Sequence, residues 1–195
     1  HSVKHFSNIK GENLSFAYPD KVVFENLNFS ICRGDKIAVC GENGHGKSTL
    51  IKIICGLLKS YNGNLKTGDE DFKSFNIEDW RKRIAFAPQV PFLFSTTVRE
   101  NVMMSNADID KATADALMDE FGIPDLADRY IDSDSKLSGG EKQKISVIRA
   151  LLKESEVLIL DEPSNHLDQN SIHILKKYIS QTSKTVILIS HDPSL

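Results

Sequence analysis

The sequence lacks a long hydrophobic run, a strong net charge and any internal repeat, and each of these absences narrows the possible classes of protein. No apolar stretch approaches the roughly 18 residues of a membrane-spanning helix, so no part of this chain is expected to cross a bilayer. A formal net charge of −3 over 195 residues gives no indication of nucleic-acid binding. The length suits one domain with one sizeable core and a small subdomain.

Cysteine is scarce as well, and the three cysteines follow no functional spacing. Cys32, Cys40 and Cys55 are odd in number and form no Cys-x-x-Cys pair. We therefore expect three free, reduced thiols in a cytosolic protein, serving packing rather than chemistry.

What the sequence does contain is an alternation of strand and helix patterns. "NLSFAYP" alternates apolar and polar residues as half-buried strands do. "EVLIL" and "TVILIS" are continuous apolar runs, typical of parallel strands buried on both faces. Periodic apolar residues predict helices in "STLIKIICGLL" and "GGEKQKISVIRALLK". Strands that alternate with helices predict an α/β fold.

Two other stretches bear on the organisation of the chain. "YNGNL" predicts a turn after the first helix. From about Val98 to Tyr130 the sequence is polar and Asp-rich, with a helical period in "DKATADALMDEF". We expect a single domain over residues 1–195, with a helical subdomain at about 90–145.

The stretch "CGENGHGKSTL" fits GxxxxGK[ST], the phosphate-binding P-loop, and it lies between the predicted strand "KIAVC" and a predicted helix. Bare glycine amides and a helix N-terminus attract phosphate oxygens. Lys47 is expected to reach the β and γ phosphates, and the Ser48 hydroxyl to ligate Mg²⁺. Alone, the motif indicates only a nucleoside triphosphate. The predicted ATP-binding residues of this loop are Gly41, Glu42, Asn43, Gly44, His45, Gly46, Lys47, Ser48 and Thr49, with the His45 side chain pointing away from phosphate.

A second half of such a site is predicted in "EVLILDEP". The apolar strand delivers Asp161 and Glu162 to its carboxyl end, where α/β sheets bind ligands. Asp161 is placed to hold Mg²⁺, and Glu162 to polarise the attacking water as a general base. Without the P-loop, the two residues would more readily be a charged turn, and pairing with the P-loop reverses this preference.

The stretch "KLSGGEKQ" closely resembles the signature of ATP-binding cassette (ABC) ATPases, LSGGQ in its commonest form. Seven parts match this family in order and cover nearly the whole chain. They are "FAYPD" as the aromatic loop, the P-loop, "FAPQ" as the Q-loop, the signature, "LILDEP", "SNHLD" as the D-loop, and "LISHD" as the switch histidine.

The resemblance implies roles for further residues. Tyr18 would stack on adenine, although alone it would more simply be a strand-surface aromatic. Gln89 would face Mg²⁺ and the water, and His191 would contact the γ-phosphate. Catalysis is thus assigned to Glu162, His191 and Gln89, and the metal to Ser48, Gln89 and Asp161. The signature residues that would meet the ATP of a second chain are Ser138, Gly139, Gly140 and Glu141.

The resemblance also implies the architecture and the assembly. The fold is that of ABC-type P-loop NTPases, with a parallel-sheet core, an N-terminal antiparallel β subdomain and an inserted helical subdomain. Each ATP, with Mg²⁺, would be sandwiched between the P-loop of one subunit and the signature of another, identical or different. Such a pair would be head-to-tail, and His166 in the D-loop would lie near its seam. Arg149 is expected to make structural contacts only.

Two classes of ABC protein fit these motifs. "RIAFAPQVPFLFSTTVRENV" resembles the exporter pattern around the Q-loop, and it favours a motor domain at the cytoplasmic side of a membrane. Its partner would be a transmembrane domain that is absent from this chain, with no nucleic acid involved. "SGGEK" and "DEPSNHLD" instead resemble ABC-F proteins, soluble ATPases that act on ribosomes. The Gly-Glu loop that exporters carry before the signature is missing from "RYIDSDSKLSGGE", which weakens the argument for coupling to a membrane part.

Overall fold

The computed structural model describes residues 6–42, 44–74, 76–106, 108–132 and 136–190. Predicted strands and helices alternate as expected, and a short 3-10 turn covers Pro124–Leu126. The strands are β1 Asn8–Tyr18, β2 Lys21–Cys32, β3 Lys36–Val39, β4 Asn62–Thr67, β5 Glu70–Asp71, β6 Ile84–Ala87, β7 Val157–Asp161 and β8 Thr185–Ile189. The helices are α1 Lys47–Ile54, α2 Ile77–Lys82, α3 Val98–Met103, α4 Lys111–Glu120, α5 Gly139–Leu152 and α6 Gln169–Gln181.

The N-terminal strands form an antiparallel sheet in the order β2-β1-β4-β5. β1 and β2 are joined at Pro19-Asp20, and their pairing runs from Tyr18 opposite Lys21 to Asn8 opposite Cys32. Alternate residues of β1 are buried, as the sequence pattern predicts. The predicted antiparallel β subdomain is therefore present.

The prediction of a turn at "YNGNL" was wrong. Residues 62–67 form β4, which pairs with the middle of β1. Gly63 has a φ of +85°, and a β-carbon there would lie 2.3 Å from the carbonyl oxygen of Asn13. The glycine therefore permits a close approach of two backbones at an irregularity of the sheet, which in sequence is indistinguishable from a turn.

The second sheet has the strand order β3-β8-β7-β6. β3 and β8 pair in parallel, from Lys36 opposite Val186 to Val39 opposite Ile189. Every residue of β7 and β8 is buried, as their continuous apolar sequences predict. β3 alternates exposed and half-buried residues.

Helix α1 is shorter than its apolar pattern predicts. It ends at Ile54 with Cys55 as its C-cap, and it buries Ile51 and Ile53. Leu57, which lies beyond the helix end, is exposed. The cysteines are free, as expected, but only Cys55 is buried, and the exposure of Cys32 and Cys40 contradicts a packing role for these two.

The chain divides into two compact units. The first unit consists of the described parts of His1–Ile84, Ser155–Ile159 and Ser183–His191; the second consists of those of Ala85–Glu154, Leu160–Thr182 and Asp192–Leu195. Each unit has buried apolar residues, such as Phe6 and Trp80 in the first, and Met118 and Ile148 in the second. The assignment of residues 1–195 to a single domain with a helical subdomain at about 90–145 stays a prediction. Across the described residues, no helix has the length and hydropathy needed to span a bilayer.

Candidate nucleotide-binding site

The P-loop connects β3 to α1 and uses backbone conformations that favour glycine. Gly41, Gly44 and Gly46 have φ angles of +156°, +83° and +85°. Gly46 is the N-cap of α1, and a β-carbon there would lie 2.4 Å from Cγ1 of Val23 on β2. Packing against β2 and the left-handed turn thus both require glycine at this position. The result is a loop of backbone that leads directly into a helix N-terminus.

Lys47, the first residue of α1, turns back into this loop. Its ammonium donates to the carbonyl oxygens of Gly41 at 2.6 Å and Glu42 at 3.0 Å. The cation is therefore held against the start of the loop whose amides are predicted to bind phosphate. The His45 imidazole approaches the Glu42 carboxylate at 3.7 Å, and both side chains are largely exposed.

The turn between β1 and β2 places an aromatic ring and a cation in the same unit as the P-loop. Tyr18 is 44% exposed, and its ring packs edge-on against Phe16 at a centroid distance of 5.0 Å. The ammonium of Lys21 lies 3.9 Å from the β-carbon position of Gly44. Sequence reasoning missed Lys21, because nothing in a Lys after "YPD" distinguishes it from an ordinary surface lysine.

Asp161 and Glu162 lie where their motif predicts, in the second unit. Asp161 is the last residue of β7, and both side chains are buried. Glu162 has a φ of +49°, a conformation that is costly for a residue with a side chain and that clusters at functional sites. Gln89 follows β6 in an exposed bend of the same unit. These positions fit a ligand site at the carboxyl ends of the strands.

The signature forms the start of α5, and its side chains build a capping box. The Ser138 hydroxyl accepts from the Glu141 amide at 3.1 Å, and the Glu141 carboxylate accepts from the Ser138 amide at 2.6 Å. The Glu141 side chain is engaged with its own helix start, a role that the resemblance did not indicate.

The D-loop packs onto the signature of the same chain. A β-carbon on Gly140 would lie 2.7 Å from the carbonyl oxygen of His166, and one on Gly139 would lie 3.5 Å from the His166 imidazole. Lys144 of α5 pairs with Asp168, the N-cap of α6, at 2.6 Å. The Lys144 ammonium and the Ser171 amide hold the pKa of Asp168 down at about 2. These contacts join the signature and the D-loop near the N-terminal ends of α5 and α6.

Other predicted residues lie elsewhere. Asn43 and His191 fall outside the described residues. Arg149 makes the structural contacts expected of it, with backbone and side-chain oxygens of Phe92 and Asn101. A cavity of about 370 Å³ lies at the C-terminal end of α1, and its described lining includes none of the predicted ATP-binding residues.

Comparisons with known proteins agree with this geometry. The ABC transporter family model matches residues 24–165. The chain is 37% identical to ABC transporter B family member 14 of Arabidopsis thaliana over 95% of its own length, and it spans 16% of that protein. It is 31% identical to a probable ABC transporter ATP-binding/permease protein of Haemophilus influenzae, over 98% of this chain and 37% of that protein.

A solved structure gives the same result for the fold. The structure of a bacterial Atm1-family ABC exporter with ATP bound superposes with a TM-score of 0.88 and 25% sequence identity. The match covers 98% of this chain and 36% of the exporter chain. The ABC-F alternative receives no support from these relatives. The chain belongs to the ABC transporter family.

Proposed function

We propose that this chain is the Mg²⁺-dependent, ATP-hydrolysing motor domain of an exporter. One observation carries the proposal: the chain contains two glycine-bearing helix starts, one at Gly46 before α1 and one at Ser138 before α5. Each offers backbone amides and a positive dipole end to phosphate. A head-to-tail pair of chains would use both starts on each ATP.

In the proposed site, the P-loop amides and Lys47 bind the phosphates and Tyr18 stacks on adenine. The position of the Lys47 ammonium between two loop carbonyls supports this, because a lysine already inside the loop needs only to exchange carbonyl oxygens for phosphate oxygens. The half-exposed Tyr18 ring has a face available for stacking. Lys21 adds a second cation near Gly44.

The proposed metal ligands are Ser48, Gln89 and Asp161. Hydroxyl, amide and carboxylate oxygens are the donors that Mg²⁺ prefers, so the set fits this ion. Within the described residues, no group of three or more His, Cys, Asp or Glu could hold a metal. A site with a single carboxylate would therefore be completed by phosphate oxygens and water. When bound, Mg²⁺ would neutralise charge on the phosphates.

For hydrolysis we assign Glu162 as the general base and Gln89 as the residue that orients the water. Glu162 is buried directly after β7, and its positive φ is of the kind that clusters at functional sites. General-base catalysis typically contributes about 10²–10⁴-fold. His191 would contact the γ-phosphate.

The proposed partners are a second nucleotide-binding domain and a transmembrane domain, with this chain on the cytoplasmic side of the membrane. Phe92 and Phe94 are 65% and 43% exposed, and their rings meet edge-on at 5.0 Å. Val90, Met104 and Tyr130 are exposed in the same unit. Exposed aromatics of this kind mark interaction sites. The occupant would be the permease part, since this chain spans 37% of a relative named ATP-binding/permease protein.

The proposal is tested by Lys47→Ala, with Lys52→Ala on the exposed side of α1 as the matched control. Lys47→Ala is expected to abolish tight Mg-ATP binding in calorimetry, because backbone amides alone leave the phosphate charge under-compensated. Lys52→Ala should bind as the parent does. Unchanged affinity in Lys47→Ala contradicts the site. For the parent, the specific rate of phosphate release should rise with protein concentration, since each site needs the signature of a second chain.

A further inference from the structure

Arg149, near the end of α5, holds the exposed aromatic segment Phe92–Phe94 through a dense set of hydrogen bonds. Its guanidinium donates to the carbonyl oxygen of Asn101 at 2.8 Å, to Oδ1 of Asn101 at 2.6 Å and to the carbonyl oxygen of Phe92 at 2.8 Å. The Asn101 amide donates to the carbonyl oxygen of Phe94 at 3.0 Å, and the Phe94 amide donates to Oδ1 of Asn101 at 2.9 Å. We call Arg149 and Asn101 together the clamp.

Arg149 is half-buried, and no carboxylate among the described residues contributes to the pKa shift of its guanidinium. Asn101 is fully buried, and desolvation alone lowers the pKa of Arg149. A buried charge is costly unless hydrogen bonds satisfy it, so the planar guanidinium is held by its geometry rather than by an ion pair. Lysine could not reproduce this arrangement, because the three bonds come from three separate nitrogens of one planar group. Three bonds from one planar group fix the relative positions of α5, Asn101 and the backbone of Phe92.

The clamp connects the helix that begins at the signature with the exposed aromatic segment. Ser138, the signature residue that caps α5, precedes Arg149 by 11 residues, or about 16 Å along one continuous helix. At its other end, the clamp holds the backbone of Phe92 and Phe94, whose side chains are exposed. A displacement of the signature end of α5 would therefore carry this segment with it.

We propose that Arg149 is a positioning residue that transmits ATP-dependent engagement of the signature to the segment Phe92–Phe94. The inference rests on the proposed function, in which ATP draws the signature of one chain onto the P-loop of another. To that function it adds a residue that transmits the movement, Arg149, and a segment that receives it, Phe92–Phe94. The receiver is the surface on which the permease part would dock.

The Phe94 amide is a direct reporter, because it donates to the clamp residue Asn101. We would follow its hydrogen exchange by NMR in Glu162→Gln, where bound ATP is expected to persist, with and without Mg-ATP. In this parent, ATP should slow the exchange of the Phe94 amide about tenfold. Arg149→Lys should still form the ATP-dependent dimer, with exchange that no longer responds to ATP. Arg149→Gln is a second variant, should Arg149→Lys not fold, because it leaves the bond between the Phe94 amide and Asn101 in place.

Arg99→Lys is the matched control. Arg99 lies on α3 and pairs with Asp115 at 2.7 Å and with Asp128, so its substitution perturbs the same subdomain without touching the clamp. It should lower the thermal midpoint and keep the ATP response of Phe94. Two results would overturn the inference and leave the proposed function standing. In one, Glu162→Gln dimerises with ATP but the exchange of its Phe94 amide does not respond. In the other, Arg149→Lys keeps the ATP response of this amide. If no ATP-dependent dimer forms, the proposed function fails, and the inference with it.

Discussion

The carbonyl oxygen of His166 lies so close to Gly140 that a β-carbon on this glycine would be 2.7 Å away from it. His166 itself has a left-handed φ of +68°. The D-loop backbone is thus seated against the signature helix in one chain, and the second glycine of the signature has a packing reason that is independent of ATP.

Gly140→Ala is therefore expected to destabilise the protein, because the methyl group would displace the D-loop backbone. Overpacking of this kind costs about 1–3 kcal/mol, which urea unfolding would measure. Gly139→Ala is the matched control, since its β-carbon would meet the His166 ring at an ordinary 3.5 Å. Gly139→Ala should be neutral or slightly stabilising, as glycine is unfavourable within a helix. Equal stabilities of the two variants would contradict the proposed contact.

The ion pair of Asp168 with Lys144 should make the free energy of unfolding depend on pH in the acid range. The pKa of Asp168 is about 2 in the folded protein and 3.8 in the reference state, first because of Lys144 and then because of the Ser171 amide. A lowered pKa means that the stabilisation is fully present above about pH 4 and is lost as the pH falls through about 2. The Asp168 side chain is 55% exposed, so screening should keep the effect below about 1 kcal/mol.

Asp168→Asn isolates this charge, because asparagine still caps α6. Its free energy of unfolding should fall less than that of the parent between pH 5 and pH 2, as measured by denaturant titration at each pH. Lys144→Met should likewise reduce the change in the free energy of unfolding between pH 5 and pH 2. A parent and Asp168→Asn that lose stability in parallel would show that the ion pair contributes nothing.

Replacing the buried amide of Gln143 by an apolar side chain should stabilise the protein. The Gln143 side chain is fully buried on α5, and neither amide atom has a hydrogen-bond partner among the described residues. A buried polar group without a partner costs about 1–3 kcal/mol. Gln143→Met, of similar shape, should therefore raise the free energy of unfolding by about 1 kcal/mol, whereas Gln181→Met on the exposed end of α6 should change it by less than about 0.5 kcal/mol. A loss of stability in Gln143→Met would instead show that a water molecule satisfies the amide.

The sequence predicted best what depends on local backbone. The P-loop glycines have conformations that few other residues adopt, and the uniformly apolar β7 and β8 are buried throughout. β4 was missed because its partner, β1, lies about 50 residues earlier, and "YNGNL" contains no trace of that pairing. The bonds of Arg149 to Asn101 could not be predicted either, since they join residues 48 positions apart.

Glu162 carries the last prediction. It is buried, follows β7 and has a φ of +49°, and we assign it as the general base. Glu162→Gln keeps the shape of the side chain and removes the proton acceptor. Hydrolysis should fall by about 10²-fold or more while ATP still binds. The persisting ATP should hold two chains together, because without attack of water on the γ-phosphorus the bond to the ADP leaving group is not broken and the bridging γ-phosphate stays in place.

Size exclusion of Glu162→Gln with and without Mg-ATP, beside a phosphate-release assay, separates this mechanism from the alternative of a charged turn residue. The mechanism predicts an ATP-dependent dimer with little turnover, and the alternative predicts turnover close to that of the parent without a dimer.

Glu156→Gln serves as the control, because this half-exposed carboxylate pairs with Arg83 near the opposite end of β7. It should lose some stability, keep its turnover and form no ATP-dependent dimer that survives chromatography. Normal turnover in Glu162→Gln would remove Glu162 from the mechanism, while the binding role of Lys47 would stand, since that rests on the P-loop alone.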